Sequence, residues 1–152
     1  TWERPQQFLG RTLSHYRNFF TDVDVSYYHG ATLVNRDKED GWTRGVTLGS
    51  RINSRNLEAS ESDAMFMHEY GHTIQSRRFG LSYVPAIGIP SIISAAFGSE
   101  KDHAYRWYER QANRYASDYF GEDVWDAATS DEIYRDTGSP KYPSWKWQRI
   151  ER

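Results

Sequence analysis

Large apolar side chains recur at helical spacing near the start of the chain. Directly after Pro5, they fall three or four positions apart up to Phe20, the period of an α-helix with one apolar face. The pattern predicts an amphipathic helix over residues 6–20. Its large apolar positions are Phe8, Leu9, Leu13, Tyr16, Phe19 and Phe20.

A strand-like alternation follows this helix. Val23, Val25 and Tyr27 alternate with their neighbours and predict a strand over residues 23–28, which turns at His29-Gly30 into a returning strand over residues 31–35. A charged run over residues 36–41 indicates a solvated loop. A third short strand is predicted over residues 45–49, and its flanking glycines suit the edge of a sheet.

Two further helices are predicted, over residues 61–79 and from about residue 100 to 120. The first stops at Gly80, a residue type that commonly ends helices, and Ser99-Glu100-Lys101-Asp102 resembles a capping box that opens the second. Between them, the apolar residues 83–97 are too short and too broken by proline and glycine for a transmembrane helix, which needs about 20 residues. Within this stretch, we interpret residues 87–97 as a buried connection beneath the two helices; a mobile lid or a membrane-contact surface is the alternative.

These elements predict an α+β fold with a small mixed sheet of roughly three strands packed on helices. The length of 152 residues, with 38% apolar and 26% charged residues, fits one compact domain over residues 1–152. The net charge of −2 argues against a general nucleic-acid binder, which carries a basic surplus. The chain shows no secretory signal and starts abruptly, so we expect a domain cut from a larger protein.

The helix predicted over residues 61–79 contains the pattern H-E-x-x-H, from His68 to His72. Two histidines four positions apart lie on one helix face, so both imidazoles can reach a single ion. Glu69 lies beside that face, where it can take a proton from a water that the ion activates. The alternative is a charged helix face that matches the pattern by chance.

A catalytic zinc site uses a third protein ligand, and the absence of cysteine restricts it to histidine or carboxylate. Glu109, on the later predicted helix, is the best candidate; an ordinary ion pair with a nearby arginine is the alternative. Asn113 lies one turn further on the same face, where its amide can accept a hydrogen bond from a ligand histidine. Ala112 is small enough for the two helices to approach closely. The other histidines are His15, His29 and His103.

Three further residues are candidates for stabilising a transition state. His103 could bind the oxyanion of a tetrahedral intermediate, or it could serve the start of its helix. Tyr105 and Tyr115 are similarly placed, with packing in the core as the alternative. The strand over residues 45–49 could pair with an extended peptide, which is a recurrent mode of recognition.

H-E-x-x-H followed by Glu109-Arg110-Gln111-Ala112-Asn113 resembles the gluzincin metallopeptidases, whose third ligand is a glutamate. With residues 1–6, 68–76, 88–91 and 109–116, the chain is similar to one minimal gluzincin family. Its domains sit at the C-terminal end of large bacterial Rhs/YD-repeat proteins of the polymorphic-toxin type. The resemblance extends to about Phe120. Many gluzincins have aspartate where this chain has Asn113, which accepts the same hydrogen bond without adding charge.

The resemblance implies a zincin-like fold and a zinc endopeptidase that acts on a peptide or protein substrate. One Zn²⁺ per chain would be held by His68, His72 and Glu109, with Glu69 as the general base. The resemblance also implies a secreted, cell-surface or translocated toxin domain, released from or delivered by a larger bacterial protein, with a cognate immunity or inhibitor protein as a partner. We expect neither nucleic-acid binding nor membrane contact.

Two other classes of function also fit the sequence. One is a metal-binding interaction module without peptidase activity, against which the intact Glu69 argues. The other is a toxin that acts on membranes or nucleic acids. Only two features support it: residues 87–97 and the aromatic tail with Trp145 and Trp147.

Overall fold

The computed structural model describes residues 3–36, 44–97 and 106–121. These residues form an α+β fold with a mixed four-stranded sheet and four α-helices. A 3₁₀ turn (Gly80–Ser82) and a π-helical turn (Val84–Gly88) connect two of the helices. In chain order the main elements are α1 (Arg4–Phe20), β1 (Asp24–Tyr28), β2 (Ala31–Arg36), β3 (Arg44–Leu48), β4 (Arg51–Arg55), α2 (Ala64–Phe79), α3 (Ile89–Phe97) and α4 (Trp107–Phe120).

The strand order in the sheet is β1-β2-β4-β3. The β1–β2 and β3–β4 pairs are antiparallel, whereas β2 and β4 run parallel. The predicted hairpin is therefore confirmed, and β3 lies at an edge of the sheet as its flanking glycines indicated.

Strand β4 was not predicted, and its sequence explains why. The segment Arg51–Arg55 contains one apolar residue, Ile52, so it lacks the alternation of a half-buried strand. Its other inward positions are polar and paired: Asn53 accepts a hydrogen bond from Ser14 of α1 at 2.9 Å, and Ser54 donates to Asn35 at 2.9 Å. Hydrogen bonds thus replace apolar contacts in this interior strand.

The sheet separates two layers of helices. On one face, Ile52 and Leu33 lie opposite each other in register and form a core with Phe66 and Tyr70 of α2. On the other face, Asn53 meets α1. Helix α4 packs against α2, so the order across the fold is α1, sheet, α2 and α4. A second core cluster contains Leu48, Tyr83, Ile87 and Tyr108.

Helix α1 is confirmed and begins two residues earlier than predicted. Its buried side consists of Gln6, Gly10 and Ser14, whereas the large apolar side chains Phe19 and Phe20 are 84% and 64% exposed. The period of the pattern was correct, but of the large apolar residues only Leu13 packs against the core, and the other five are exposed.

The two helices of the H-E-x-x-H and Glu109 segments are both present. Helix α2 begins after Asp63, whose side chain accepts a hydrogen bond from the Phe66 amide at 3.0 Å, and it ends at Gly80 as predicted. Helix α4 begins at Trp107, later than predicted, and the proposed capping box over residues 99–102 lies outside the described residues.

The apolar residues 87–97 are only partly the buried connection that we expected. Ile87 is buried, but Ile92, Ile93 and Phe97 of α3 are exposed. No helix within residues 3–36, 44–97 and 106–121 has the length and apolar character needed to cross a membrane.

Candidate metal centre

The contact between α2 and α4 creates the site, and two small residues make that contact possible. A Cβ atom built on Gly71 would lie 2.1 Å from the backbone oxygen of Ala112, closer than real atoms approach. The two backbones therefore touch directly. This close approach places the His68–His72 face of α2 opposite Glu109 of α4.

One carboxylate oxygen joins the two histidines. Glu109 Oε2 lies 3.0 Å from His72 Nε2 and 3.1 Å from His68 Nε2. One ligand atom from each of the three residues lies within 4.8 Å of the others. Glu109 and His72 are buried, and His68 is partly exposed, so solvent reaches the group on the His68 side.

A side-chain amide oxygen forms a hydrogen bond with the Nδ1 atom of each imidazole. His68 Nδ1 lies 2.5 Å from Asn113 Oδ1, in the position expected from the sequence, and His72 Nδ1 lies 2.6 Å from Gln75 Oε1. The Gln75 amide nitrogen donates to the Tyr108 carbonyl at 2.7 Å, so its oxygen must face His72. Both Nδ1 atoms therefore donate, and both Nε2 atoms face the centre of the cluster.

Glu109 is oriented in the same way. The hydroxyl of Ser91 donates to Glu109 Oε1 at 2.6 Å, and the other oxygen of the carboxylate points to the two imidazoles. Ser91 lies in the first turn of α3, which is further attached to α4 by the hydrogen bond from the Tyr108 hydroxyl to the Pro90 carbonyl. Helix α3 therefore fixes which oxygen of Glu109 faces the cluster.

The charges in the cluster are strongly coupled. Burial alone would lower the pKa of His72, but the charge and hydrogen bond of Glu109, with a smaller effect of Glu69, raise this pKa to about 9. Burial alone would raise the pKa of Glu109, yet the neighbouring His72 and His68 hold it well below its usual range. Without a metal, the cluster is thus an ion pair between an imidazolium and a carboxylate.

Glu69 is buried against the edge strand β3. The Thr47 hydroxyl donates to Glu69 Oε2 at 2.6 Å, and the Tyr83 hydroxyl donates to the Thr47 carbonyl at 3.0 Å. A Cβ atom at position 45 would lie 2.4 Å from Glu69 Oε1, so a side chain there would displace the carboxylate. The carboxylate therefore has one oxygen in a hydrogen bond and the other against the strand backbone.

The arrangement fits a metal ion. Two ligand atoms at about 2.0–2.1 Å from a tetrahedral ion are about 3.3 Å apart, close to the observed separations of 3.0 and 3.1 Å. Two imidazoles and one carboxylate are ligands that zinc accepts in catalytic sites. The group formed by His68, His72 and Glu109 could therefore hold a metal ion.

The other candidates within the described residues have their contacts away from this cluster. Tyr115 lies six residues after Glu109 on another side of α4, and its ring centre is 4.5 Å from the Arg78 guanidinium. His15 is on the exposed side of α1, and His29 contacts the Tyr119 hydroxyl at 2.5 Å. His103 and Tyr105 lie outside the described residues.

Four supporting residues escaped the sequence analysis. The spacing gave a signal for Gln75, which is three positions after His72 and therefore near it on the helix. A glycine inside the H-E-x-x-H pattern, Gly71, also pointed to a close helix contact. The resemblance included Ser91 in residues 88–91 but gave it no role. Nothing local indicated that Ser91 binds Glu109 or that Thr47 binds Glu69, because each hydroxyl reaches its carboxylate through the tertiary fold.

Comparisons of this chain with protein-family models, with curated proteins and with solved structures find no match.

Proposed function

We propose that this chain is a zinc-dependent endopeptidase with a zincin-like fold of the gluzincin type. His68, His72 and Glu109 would hold one zinc ion, and Glu69 would be the general base. The observation that carries the proposal is the way in which neighbouring residues hold and orient the three ligand side chains. Each of the three side chains has one polar atom bound to a neighbour and the other directed at a common point.

Such a ligand set suits catalysis because it is oriented before any ion arrives. A zinc ion held by these residues supplies Lewis acidity, which polarises a peptide carbonyl and makes a water molecule a better nucleophile. The amide oxygens of Asn113 and Gln75 keep both imidazoles in the tautomer that presents Nε2. Ser91 holds Glu109 Oε1, which favours binding through Oε2 alone.

The two carboxylate oxygens of Glu69 have different surroundings, which suits this residue to proton transfer. Oε2 accepts the hydrogen bond from Thr47, so Oε1 takes the proton from the attacking water and then passes it to the leaving amine. Oε1 lies against Gly45 in the edge strand. A side chain at position 45 would displace this oxygen, which explains why the sequence has glycine there.

The edge position of β3 supports an extended peptide as the substrate. Among the described residues, β3 pairs with β4 on one side only, and Gly45 and Thr47 of this strand contact Glu69. A peptide that pairs with the outer side of β3 at Gly45 would run past the general base, which is strand addition to a sheet edge; the Thr47 carbonyl already accepts a hydrogen bond from Tyr83.

The sequence resemblance alone supports the biological setting that we propose. The chain would be a toxin or effector domain of a bacterial Rhs-type protein, exported as part of that protein, and an immunity protein that covers the site would be its natural inhibitor.

The test is hydrolysis of an unfolded protein substrate by the wild type and by Glu69→Gln, both loaded with one equivalent of zinc. We expect the variant to keep its metal and melting temperature and to lose activity by about 10²–10⁴-fold, the usual contribution of a general base. Full activity of Glu69→Gln would refute the role of Glu69. If zinc-loaded wild type cleaves no peptide, the metal-binding interaction module replaces the enzyme.

A further inference from the structure

The turn after β3 determines which backbone groups of this strand point away from the sheet. Two residues, Gly49-Ser50, join β3 to β4, and Gly49 has a positive φ of 68°. A two-residue turn with glycine first is of type II′, and the residues that flank it are hydrogen-bonded to each other. Leu48 is therefore bonded to β4. Because the pattern alternates along an antiparallel pair, the backbone N–H and carbonyl groups of Thr47 and Gly45 point outward.

The Thr47 carbonyl on this outer side already has a partner. The Tyr83 hydroxyl donates to it at 3.0 Å. Tyr83 is only 1% exposed and packs in one core cluster with Leu48 and Ile87. A Cβ atom on Gly88 would lie 3.8 Å from side-chain atoms of both Leu48 and Tyr83, so this connection stays close to the end of the strand. The segment between α2 and α3 therefore covers the outer side of β3 at Thr47.

Gly45, two residues earlier in β3, is the position next to the proposed general base. A Cβ atom there would lie 2.4 Å from Glu69 Oε1, and the Thr47 hydroxyl donates to the other oxygen of Glu69 at 2.6 Å. Apart from the sheet itself, no residue in the described part of the chain forms a hydrogen bond with the Gly45 backbone. The part of the β3 edge that Tyr83 leaves uncovered thus lies beside Glu69.

We propose that Tyr83 is a specificity-determining residue that ends the peptide-pairing edge of β3. The inference rests on the proposed function and specifies how that site holds its substrate. The substrate runs antiparallel to β3, the slightly more stable pairing, and one of its residues exchanges both N–H···O bonds with Gly45. The substrate residue two positions earlier lies opposite Thr47 and would need the Thr47 carbonyl as its acceptor. The Tyr83 hydroxyl takes that place, so the pairing stops.

This limit restricts the class of substrate. A peptide held at Gly45 has one residue fixed beside Glu69, and its preceding residues turn away from the edge at Tyr83. An unfolded segment or an exposed loop can turn in this way, whereas a strand within a folded sheet cannot. The substrate is therefore an unfolded or looped segment of a protein, recognised through its backbone at one residue.

Backbone N-methylation of a bound peptide tests the proposal. The probe is an acetylated tetra-alanine peptide that ends in a hydroxamate, which chelates zinc and holds the peptide on the amino side of the reacting bond. Each alanine nitrogen is methylated in turn, and the dissociation constant is measured with the zinc-loaded wild type. We expect one sensitive position, where methylation weakens binding by about 2–10-fold, the range of one hydrogen bond. The position two residues earlier should tolerate methylation, because its N–H has no acceptor.

Tyr83→Phe should add a second sensitive position. The change keeps the ring and removes the hydroxyl, so the Thr47 carbonyl can accept the N–H of the peptide residue opposite it. Methylation two residues before the first sensitive position should then also weaken binding by about 2–10-fold. Tyr70→Phe is the matched control, because Tyr70 is also 1% exposed, belongs to the other core cluster and donates its hydroxyl to the His29 carbonyl at 3.2 Å. It should keep the single sensitive position.

The outcomes separate this inference from the proposed function. Two sensitive positions in the wild type, two residues apart, would show that the Thr47 carbonyl accepts the peptide through its second lone pair and would overturn the proposal. A single sensitive position that Tyr83→Phe leaves unchanged would show that Tyr83 does not limit the pairing. Acetohydroxamate tests the zinc site alone: if the zinc-loaded wild type does not bind it, the proposed function fails, and this inference with it. Binding of acetohydroxamate with no sensitive position in the peptide would overturn the pairing only.

Discussion

Gly71 of α2 and Ala112 of α4 are in direct backbone contact, with no room for a side chain between them. A Cβ atom on Gly71 would lie 2.1 Å from the Ala112 oxygen. This contact sets the distance between the helix that carries both histidines and the helix that carries Glu109. The separations of 3.0 and 3.1 Å around Glu109 Oε2 therefore depend on a glycine that is not itself a ligand.

Gly71→Ala should separate the two helices and weaken the site. The steric cost of about 3 kcal/mol exceeds the gain of about 1 kcal/mol in helix propensity. The net loss of about 2 kcal/mol should lower the melting temperature by about 4–8 °C, measured by circular dichroism. Metal content should fall in the same protein.

Gly88→Ala is the matched control for this change. A Cβ atom at Gly88 would lie 3.8 Å from its nearest neighbours, which is ordinary van der Waals contact. The melting temperature and the metal content of Gly88→Ala should therefore stay near those of the wild type. A stable Gly71→Ala protein that keeps its full metal content would show that the close approach of α2 and α4 is not needed.

Ser91→Ala should weaken metal binding without unfolding the protein. The Ser91 hydroxyl is within 2.6 Å of Glu109 Oε1, and loss of such a supporting hydrogen bond typically costs about 10–100-fold in metal affinity. Competition with a chromophoric chelator would measure the dissociation constant. Ser91→Thr retains the hydroxyl and should restore the affinity, whereas equal affinities for Ser91→Ala and wild type would contradict the role.

The pH dependence of stability should have opposite signs with and without metal. In the metal-free protein the pKa of His72 is raised to about 9, above its ordinary value of 6.5. Its contribution to stability is therefore complete below about pH 6.5 and is lost as the pH rises toward 9. Metal must displace this proton, so metal affinity should rise with pH over the same range.

Two titrations measure these trends. Denaturant unfolding of the metal-free protein between pH 6 and 9 should show decreasing stability, and zinc binding near pH 7 should release at least the proton of His72. Glu109 should release none, because its pKa is held well below its usual range. Zinc binding without proton release at pH 7 would contradict the imidazolium–carboxylate pair.

The metal ligands were the part of the site that the sequence predicted best. A spacing of four residues on a helix fixes the relative position of His68 and His72 through local geometry alone. Glu109 and Asn113 are likewise one turn apart on a second helix. The supporting residues Ser91 and Thr47 approach their carboxylates only after the chain has folded, so no spacing pattern could reveal them.

In the fold, too, features that depend on local sequence were predicted, and features that depend on tertiary contacts were not. Periodicity identified α1 as a helix, but the inward side is decided by the hydrogen bonds of Gln6 and Ser14, which no period encodes. Strand β4 was missed because its interior positions are polar and are paired across the sheet and with α1. Apolar patterning predicts elements well only where apolar contacts determine their packing.

The most direct test of the proposed metal centre is the metal content per chain, measured by elemental mass spectrometry on untagged protein purified without added metal. We expect close to one zinc per chain in the wild type and in Glu69→Gln, and almost none in His72→Ala. No zinc in the wild type, with none taken up from solution, would contradict a zinc site formed by His68, His72 and Glu109.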